Sequence, residues 1–201
     1  EASGFAVSTP EAGVFKPMAT TRVFDDDLNL VEPGSGVIGI AYSGGYSPIG
    51  YYKEPEKSAA TFLEIAGIRY VKTGDRCSVR EDGMLILLGR DSTVINTGGE
   101  KVYTVEIERA LIGHPDITDA LVVGVPDVRF GNIVAAVVEG PHLTEESLDL
   151  VGTQKYVSNL LADYKVPRKI FAIKSLQRGP NGKPDYPFIN AYVAAQVERD
   201  R

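Results

Sequence analysis

Five residues in turns and loops carry the groups best suited to chemistry in this 201-residue sequence. Asp75 closes a Thr-Gly-Asp stretch with a carboxylate acceptor, and Arg90 offers a rigid fork of donors to oxygen atoms. Gly98 and Gly99 lack side chains, so another molecule can approach the backbone there. Lys183, in a Pro-Asn-Gly-Lys loop, could offset negative charge that develops during a reaction. Ordinary explanations also exist: a turn aspartate, an arginine paired with a neighbouring aspartate, a turn before a helix and an exposed lysine.

The elements before residue 90 predict a mostly β region. Short apolar runs alternate with turn residues over 12–50, which indicates a small sheet or barrel, and Pro55 opens a predicted short helix over 53–62. Three strands are expected at 68–75, 76–81 and 84–90. We expect Asp75 to end the first of them, and a hairpin turn with Gly83 at positive φ to join the last two.

The region after residue 90 has a different pattern. It predicts an amphipathic helix from residue 104, stopped by a glycine and a proline, and then two apolar, β-branched strands that form a hairpin. A long helix over 144–164, another strand and a final helix follow. The fold class is therefore predicted as α+β: a small distorted β-barrel or sheet subdomain over 1–90, then a compact α+β domain over 91–201.

Composition excludes several functions. The formal charge of −6, from 27 acidic and 21 basic residues, argues against a nucleic-acid partner and against anionic membranes. No apolar run is long enough to be a transmembrane segment, and no signal peptide is recognisable. Cys77 is the single cysteine, so no internal disulfide can form and a cytoplasmic location is expected. His114 and His142 lie in turn-like stretches, which argues against a Cys/His nucleophile and a zinc site.

Four stretches, in this order, resemble the adenylate-forming enzymes: acyl-CoA synthetases, nonribosomal adenylation domains and luciferases. Each is weak alone, but their order and spacing together are specific, and they cover nearly the whole chain. The wording "INTGGEKVY" resembles most the actinobacterial fatty-acyl and steroid-acyl CoA ligases. The stretches are "SGGYSPIGYYKEPEKSAATF" (43–62), "YVKTGD" (70–75), "LGRDSTVINTGGEKVYTVEIE" (88–108) and "GPNGKPDY" (179–186).

The resemblance implies a reaction in two halves. A carboxylate, such as a fatty or steroid-derived acid, attacks the α-phosphate of ATP with Mg²⁺ present and gives an acyl-adenylate. The thiol of CoA then displaces AMP. A large core domain and a small C-terminal lid form the site, and the lid rotates between the halves. ATP, Mg²⁺ and CoA are therefore the expected cofactors and substrates.

The resemblance also implies residue roles. Asp75 would accept hydrogen bonds from both ribose hydroxyls, and Arg90 would reach ribose or phosphate oxygens. Lys183 would be the catalytic residue, stabilising charge on the α-phosphate and the incoming carboxylate during adenylation. Gly98 and Gly99 would flank the tunnel for the pantetheine arm of CoA.

The motifs identify the hinge residue and the metal ligand less precisely. Ser92 aligns with the hinge, where the family usually has Asp or Lys, and Asp91 precedes it, so either residue could be the pivot. Glu1 would stand where the family has an acidic residue that helps to hold Mg²⁺.

The family's glycine-rich phosphate loop is absent from this sequence, as is most of the core that forms the acyl pocket. Residues 1–90 are therefore predicted to be the distal β subdomain of an incomplete adenylation domain, and 91–201 the lid. The missing N-terminal core would be the partner, and the chain alone is expected not to form acyl-adenylate. Two alternatives stay open: a domain that loads a carrier protein, or a non-catalytic remnant or interaction module. The acyl substrate and the oligomeric state also stay open.

Overall fold

The computed structural model describes residues 4–11 and 13–199, which form two compact units divided after Ser92. The predicted α+β class is confirmed, because the first unit is dominated by strands and the second mixes strands and helices. No helix in the described ranges has the length and apolar character needed to cross a bilayer.

The first unit is built on a seven-stranded antiparallel sheet with the order β1-β2-β7-β6-β4-β3, and β5 pairs with β6. One short helix, α1 (Pro55–Thr61), precedes β5 and begins at a proline, as predicted. The strands are β1 (Ala6–Ser8), β2 (Val14–Pro17), β3 (Thr21–Phe24), β4 (Ile38–Gly44), β5 (Phe62–Ile65), β6 (Ile68–Val79) and β7 (Leu85–Arg90).

Two apolar clusters cover the faces of this sheet. Phe24, Tyr42 and Tyr70 meet edge to face on one side, with ring centroids 5.3 to 6.5 Å apart. Val23, Val31, Ala41, Cys77 and Leu85 pack on the other side. Successive side chains of a strand point to opposite faces of the sheet, so neighbouring residues such as Val23 and Phe24 belong to different clusters.

One predicted strand boundary is wrong. The separate strands expected at 68–75 and 76–81 are a single strand, β6, and Asp75 lies inside it. Gly74, at φ +80°, and a register irregularity next to Arg76 bend the strand without ending it. Pairing with β4 is present on both sides of the bend, and pairing with β7 begins at Asp75, so the ladder overrides the local turn signal. The predicted hairpin turn is confirmed, with Gly83 at φ +79°.

The second unit places helices on both faces of a three-stranded sheet. Its strands β10 (Asp119–Asp127) and β11 (Gly131–Glu139) form the predicted hairpin, and β12 (Lys169–Ala172) adds parallel to β11. Because both faces are covered, β10 and β11 are almost continuously apolar. The remaining elements are the strands β8 (Ile95–Thr97) and β9 (Glu100–Val102), and the helices α2 (Thr104–Ile112), α3 (Leu150–Ser158) and α4 (Tyr186–Arg199).

Helices α2 and α3 bury Ile107, Leu111 and Val157 on one face of this sheet, and α4 buries Ile189 and Val193 on the other. The long helix expected over 144–164 is wrong in length. Its first turn is replaced by side-chain hydrogen bonds between Thr144 and Ser147, and α3 begins only after Asp149, whose carboxylate accepts from the Gly152 amide at 2.9 Å.

Candidate functional site

Asp75 and Arg90 stand directly opposite each other on β6 and β7. Arg90 Nε lies 2.9 Å from Asp75 Oδ1, and Arg90 Nη1 donates to the Thr73 carbonyl at 3.2 Å. The Asp75 side chain is 18% exposed and that of Arg90 is 63% exposed. The antiparallel register therefore presents a carboxylate and a guanidinium together, with the arginine largely in solvent.

Burial changes the electrostatics of this pair. It raises the pKa of the Asp75 carboxyl, and the charge of Arg90 and a hydrogen bond from Thr73 oppose that rise. The Thr73 hydroxyl also accepts from the Asp75 amide at 3.1 Å and donates to the Ala41 carbonyl at 2.8 Å. These contacts fix the backbone at Asp75, so its carboxylate is held by the fold as well as by the ion pair.

Asp91 and Ser92 lie in a single turn of 3₁₀ helix, Asp91–Thr93, that begins where β7 ends. The boundary between the compact units follows Ser92. Asp91 Oδ1 accepts from Arg76 Nε at 2.7 Å, and Arg76 Nη1 lies 2.7 Å from Asp26 Oδ1. Arg76 was not predicted from the sequence. An arginine inside the strand and directly before the apolar Cys77 was the signal that could have found it.

Gly98 and Gly99 form the two-residue turn that joins β8 to β9, where Thr97 pairs with Glu100. Their φ angles are +58° and +92°. A tight hairpin of this kind requires positive φ at both central residues, and glycine supplies it. The ordinary alternative to a binding role, a turn before a helix, is therefore replaced by a hairpin turn, which explains both glycines without a ligand. The Gly98 amide also donates to the Phe130 carbonyl at 2.9 Å.

Lys183 is exposed and lies in a compact loop held by its own backbone. The Gly179 amide donates to the Lys183 carbonyl at 2.9 Å, and the Lys183 amide donates to Asn181 Oδ1 at 3.2 Å. Arg178 anchors this loop: its Nε and Nη2 donate to the Asp119 carboxylate at 2.6 and 2.8 Å, and its Nη1 donates to the Gly182 carbonyl at 3.2 Å. No sequence pattern pointed to the pairing of Arg178 with Asp119.

Glu108 is an unusual carboxyl group beside this anchor. It lies on α2 and accepts from the Val122 amide of β10 at 3.0 Å. Burial raises the pKa of Glu108 to about 7, against the opposing effects of the Val122 hydrogen bond and the charge of Arg178. The protonated form of Glu108 is therefore favoured more than it is in an exposed glutamate.

Cys77 and Glu1 were also considered in the sequence. Cys77 is fully buried, and burial raises the pKa of its thiol to about 12, so it is not a nucleophile at neutral pH. Glu1, the predicted Mg²⁺ ligand, lies outside the described residues. Among the residues that are described, no three His, Cys, Asp or Glu side chains lie close enough to hold a metal ion.

Comparison with known proteins places this geometry in a family. Residues 106–183 match the family described as the AMP-binding enzyme C-terminal domain. A medium/long-chain-fatty-acid–CoA/3-oxocholest-4-en-26-oate–CoA ligase from Mycolicibacterium smegmatis is 52% identical over 169 residues, covering 83% of this chain and 30% of the relative. The chain thus spans about a third of the length of the curated relatives it matches.

Solved structures agree with this assignment. ATP-bound MatB from Rhodopseudomonas palustris superposes with a TM-score of 0.76 at 28% identity, covering 94% of this chain and 35% of MatB. The o-succinylbenzoate CoA synthetase MenE from Bacillus subtilis, in complex with its acyl-adenylate intermediate, gives a TM-score of 0.71 at 27% identity, covering 84% and 33%. Fold and matched residues define a C-terminal domain of the adenylate-forming type. Residues 106–183 belong to the AMP-binding enzyme C-terminal domain family.

Proposed function

We propose that this chain supplies the C-terminal lid and the adjoining β subdomain of an acyl-CoA synthetase. In this proposal, residues 1–90 are the distal β subdomain and 91–201 the lid. A carboxylic acid attacks the α-phosphate of ATP to give acyl-AMP and pyrophosphate, and the CoA thiol then displaces AMP. The observation that carries the proposal is the Asp75–Arg90 pair. It places a carboxylate and a guanidinium, both suited to binding a nucleotide, side by side in a chain that is 52% identical to a CoA ligase over 169 residues.

Asp75 and Arg90 bind the nucleotide in this proposal. A carboxylate has enough acceptor sites to keep its contact with Arg90 Nε and still accept from the two ribose hydroxyls of ATP. The exposed guanidinium of Arg90 reaches ribose or phosphate oxygens. The cross-strand register holds the two groups together before ATP arrives, which lowers the entropy cost of binding.

Lys183 is the catalytic cation of the first half-reaction. Its ammonium group offsets the negative charge that gathers on the α-phosphate and the incoming carboxylate. The hydrogen-bonded loop from Gly179 to Lys183 presents the side chain to solvent, where a substrate can meet it. The Arg178–Asp119 pair limits how far this loop can spread, so it positions Lys183 without contacting the substrate.

The second half-reaction uses the hairpin turn at Gly98 and Gly99. Nothing lies within 4 Å of the place where a Cβ on Gly99 would stand, so the pantetheine arm of CoA can approach the backbone there. Rotation at the hinge, for which Asp91 and Ser92 are the two candidates, moves the Lys183 loop away from the reacting carbonyl and brings this turn to it. We assign no step to Mg²⁺, because the described residues offer no cluster that would hold it.

The acyl substrate we propose is a medium- or long-chain fatty acid or a steroid-derived acid, as in the name of the M. smegmatis relative. Free CoA is the proposed acceptor in preference to a carrier protein, since that relative and the Rhodococcus rhodochrous relative, 49% identical, are both named as CoA ligases. The sequence has no glycine-rich phosphate loop, so the chain alone should not form acyl-adenylate.

A hybrid enzyme tests the proposal. The matching segment of the M. smegmatis ligase is replaced by this chain, and acyl-adenylate is trapped with hydroxylamine while acyl-CoA is measured separately. We expect the hybrid to make both products, and the chain alone to make neither. Hydroxamate formed by the pure chain would refute the expectation that it is inactive by itself, and a folded hybrid that makes neither product would contradict the proposed function.

Lys183→Ala in the hybrid isolates the catalytic residue. Loss of one charge-stabilising group typically costs about 100-fold or more in rate, so adenylation should fall by that order, while thioester formation from supplied acyl-AMP should be retained. Lys174→Ala is the matched control, because Lys174 is also an exposed lysine in a loop of the second unit. Equal losses in the two variants would remove Lys183 from the mechanism.

A further inference from the structure

Arg76 is a buried cation held between two carboxylates of the first unit. It is only 7% exposed, although it is an arginine. Its Nη1 lies 2.7 Å from Asp26, in the turn that follows β3, and its Nε lies 2.7 Å from Asp91, the first residue after β7. One guanidinium therefore ties the interior of the sheet to the point where the chain leaves it.

The hydrogen bonds to the two carboxylates keep Arg76 charged despite its burial. Burial alone would lower the pKa of Arg76, but the hydrogen bonds to Asp91 and Asp26 outweigh burial and raise it. The guanidinium thus stays charged wherever the two carboxyls are ionised. Removal of either carboxylate would leave the buried guanidinium with only one of its two carboxylate partners, which would destabilise the folded protein.

Asp91 lies between the end of the sheet and the boundary of the first unit, so its contact with Arg76 affects where the chain can bend. The strand β7 ends at Arg90, and the boundary between the compact units follows Ser92. A chain that leaves a sheet can ordinarily change its backbone angles at the first residue after the strand. Here that residue is held by its side chain, and the next residue, Ser92, is not part of the contact.

We propose that Arg76 is a positioning residue for the hinge: by holding Asp91 on the first unit, it confines the pivot to Ser92 and the residue after it. This decides between the two hinge candidates that the sequence left open. The role of this pivot in catalysis, where it would exchange two faces of the lid, rests on the proposed function. The location of the pivot is inferred only from the contacts of Arg76 and from the boundary between the units.

Two matched variants test the proposal in the 201-residue chain. Asp91→Ala and Asp26→Ala each remove one carboxylate from Arg76, but only the first frees the residue at the start of the hinge. Backbone {¹H}–¹⁵N NOE values report motion on the picosecond to nanosecond scale. In the wild type, we expect a high value through residue 91 and a lower one at Ser92. Asp91→Ala should lower the value at residue 91 to that of Ser92, and Asp26→Ala should not.

Spin labels on the two units extend the test to larger motions. Lys16→Cys and Ala195→Cys provide exposed attachment sites, and the buried Cys77 should stay unlabelled. Asp91→Ala should broaden the distribution of distances between the labels, whereas Asp26→Ala should leave it at the wild-type width. Wild-type behaviour of Asp91→Ala, or equal loosening in both variants, would overturn the proposal. Neither measurement requires catalysis, so their outcome is independent of whether the proposed reaction is correct.

Discussion

The substitution Glu108→Gln should remove a pH dependence from the stability of the second unit. Glu108 is held in a largely buried setting, where it accepts a hydrogen bond from the Val122 amide at 3.0 Å. A glutamine amide oxygen can accept the same hydrogen bond and has nearly the same shape. The substitution therefore changes the ionisation of residue 108 and little else.

The sign follows from the two pKa values. In the folded chain the pKa of Glu108 is raised to about 7, whereas in an unfolded chain a glutamate has a pKa of roughly 4.3. Between those values the folded state holds a proton that the unfolded state has lost, so the free energy of unfolding falls as pH rises. The contribution is fully present below about pH 4 and is lost as pH rises through 7.

The magnitude follows from the same difference. The two pKa values differ by about 2.7 units and each unit is worth about 1.4 kcal/mol for a single proton, so the loss across the whole window is at most about 4 kcal/mol. At pH 5, about 0.7 unit above the unfolded pKa, Glu108→Gln should already be more stable than wild type by about 1 kcal/mol. At pH 8, the variant should be more stable by up to about 4 kcal/mol, because the wild type must then bury a charge.

Urea titrations followed by circular dichroism, at half-unit steps from pH 5 to 8, measure this difference. Glu146→Gln, which changes an exposed glutamate of the same unit, is the control and should track the wild type at every pH. The reasoning is refuted if Glu108→Gln differs from the wild type by the same amount at pH 5 and pH 8. That result would mean that Glu108 is ionised throughout this range in the folded protein.

Two further predictions concern the hairpin turn and the cysteine. Gly98→Val should destabilise the second unit by about 1–2 kcal/mol, because a β-branched residue is strained at φ +58°, whereas Gly98→Asn should cost much less, since asparagine tolerates this conformation. Equal unfolding free energies for the two variants would argue against the turn. Cys77 should not react with Ellman's reagent at pH 8 in the folded chain, and should react fully in denaturant, because it is buried and its thiol has a pKa of about 12. Rapid labelling of the native protein would contradict that burial.

Local patterns in the sequence predicted most of the elements. The β-branched runs that became β10 and β11 indicated a hairpin because strands covered on both faces are apolar throughout. Pro55 marked the start of α1, and Gly83 marked the turn between β6 and β7. These signals are reliable because a few neighbouring residues decide the backbone angles on their own.

Features that depend on how strands pair were predicted less accurately. The Thr-Gly-Asp stretch has the chemistry of a turn, yet β6 continues through it because β4 pairs with β6 before and after the stretch and β7 pairs with it from Asp75 onward. The ordinary alternative for Gly98 and Gly99 was a turn before a helix, but the turn joins β8 to β9 because those short strands pair. In both places the tertiary or cross-strand partner decided what the local residues left open.

The sequence by itself determined which residues are candidates for the site: Asp75, Arg90, Lys183 and the two glycines stand out by type and motif. Only the tertiary structure decided what they touch. It set Asp75 against Arg90 through strand register, and placed Arg76 between Asp26 and Asp91, which are far from one another along the chain. It also tied the Lys183 loop to Asp119 through Arg178. The type of a side chain decides which chemistry it can perform, but its contacts depend on how distant segments pack, which is a property of the whole fold.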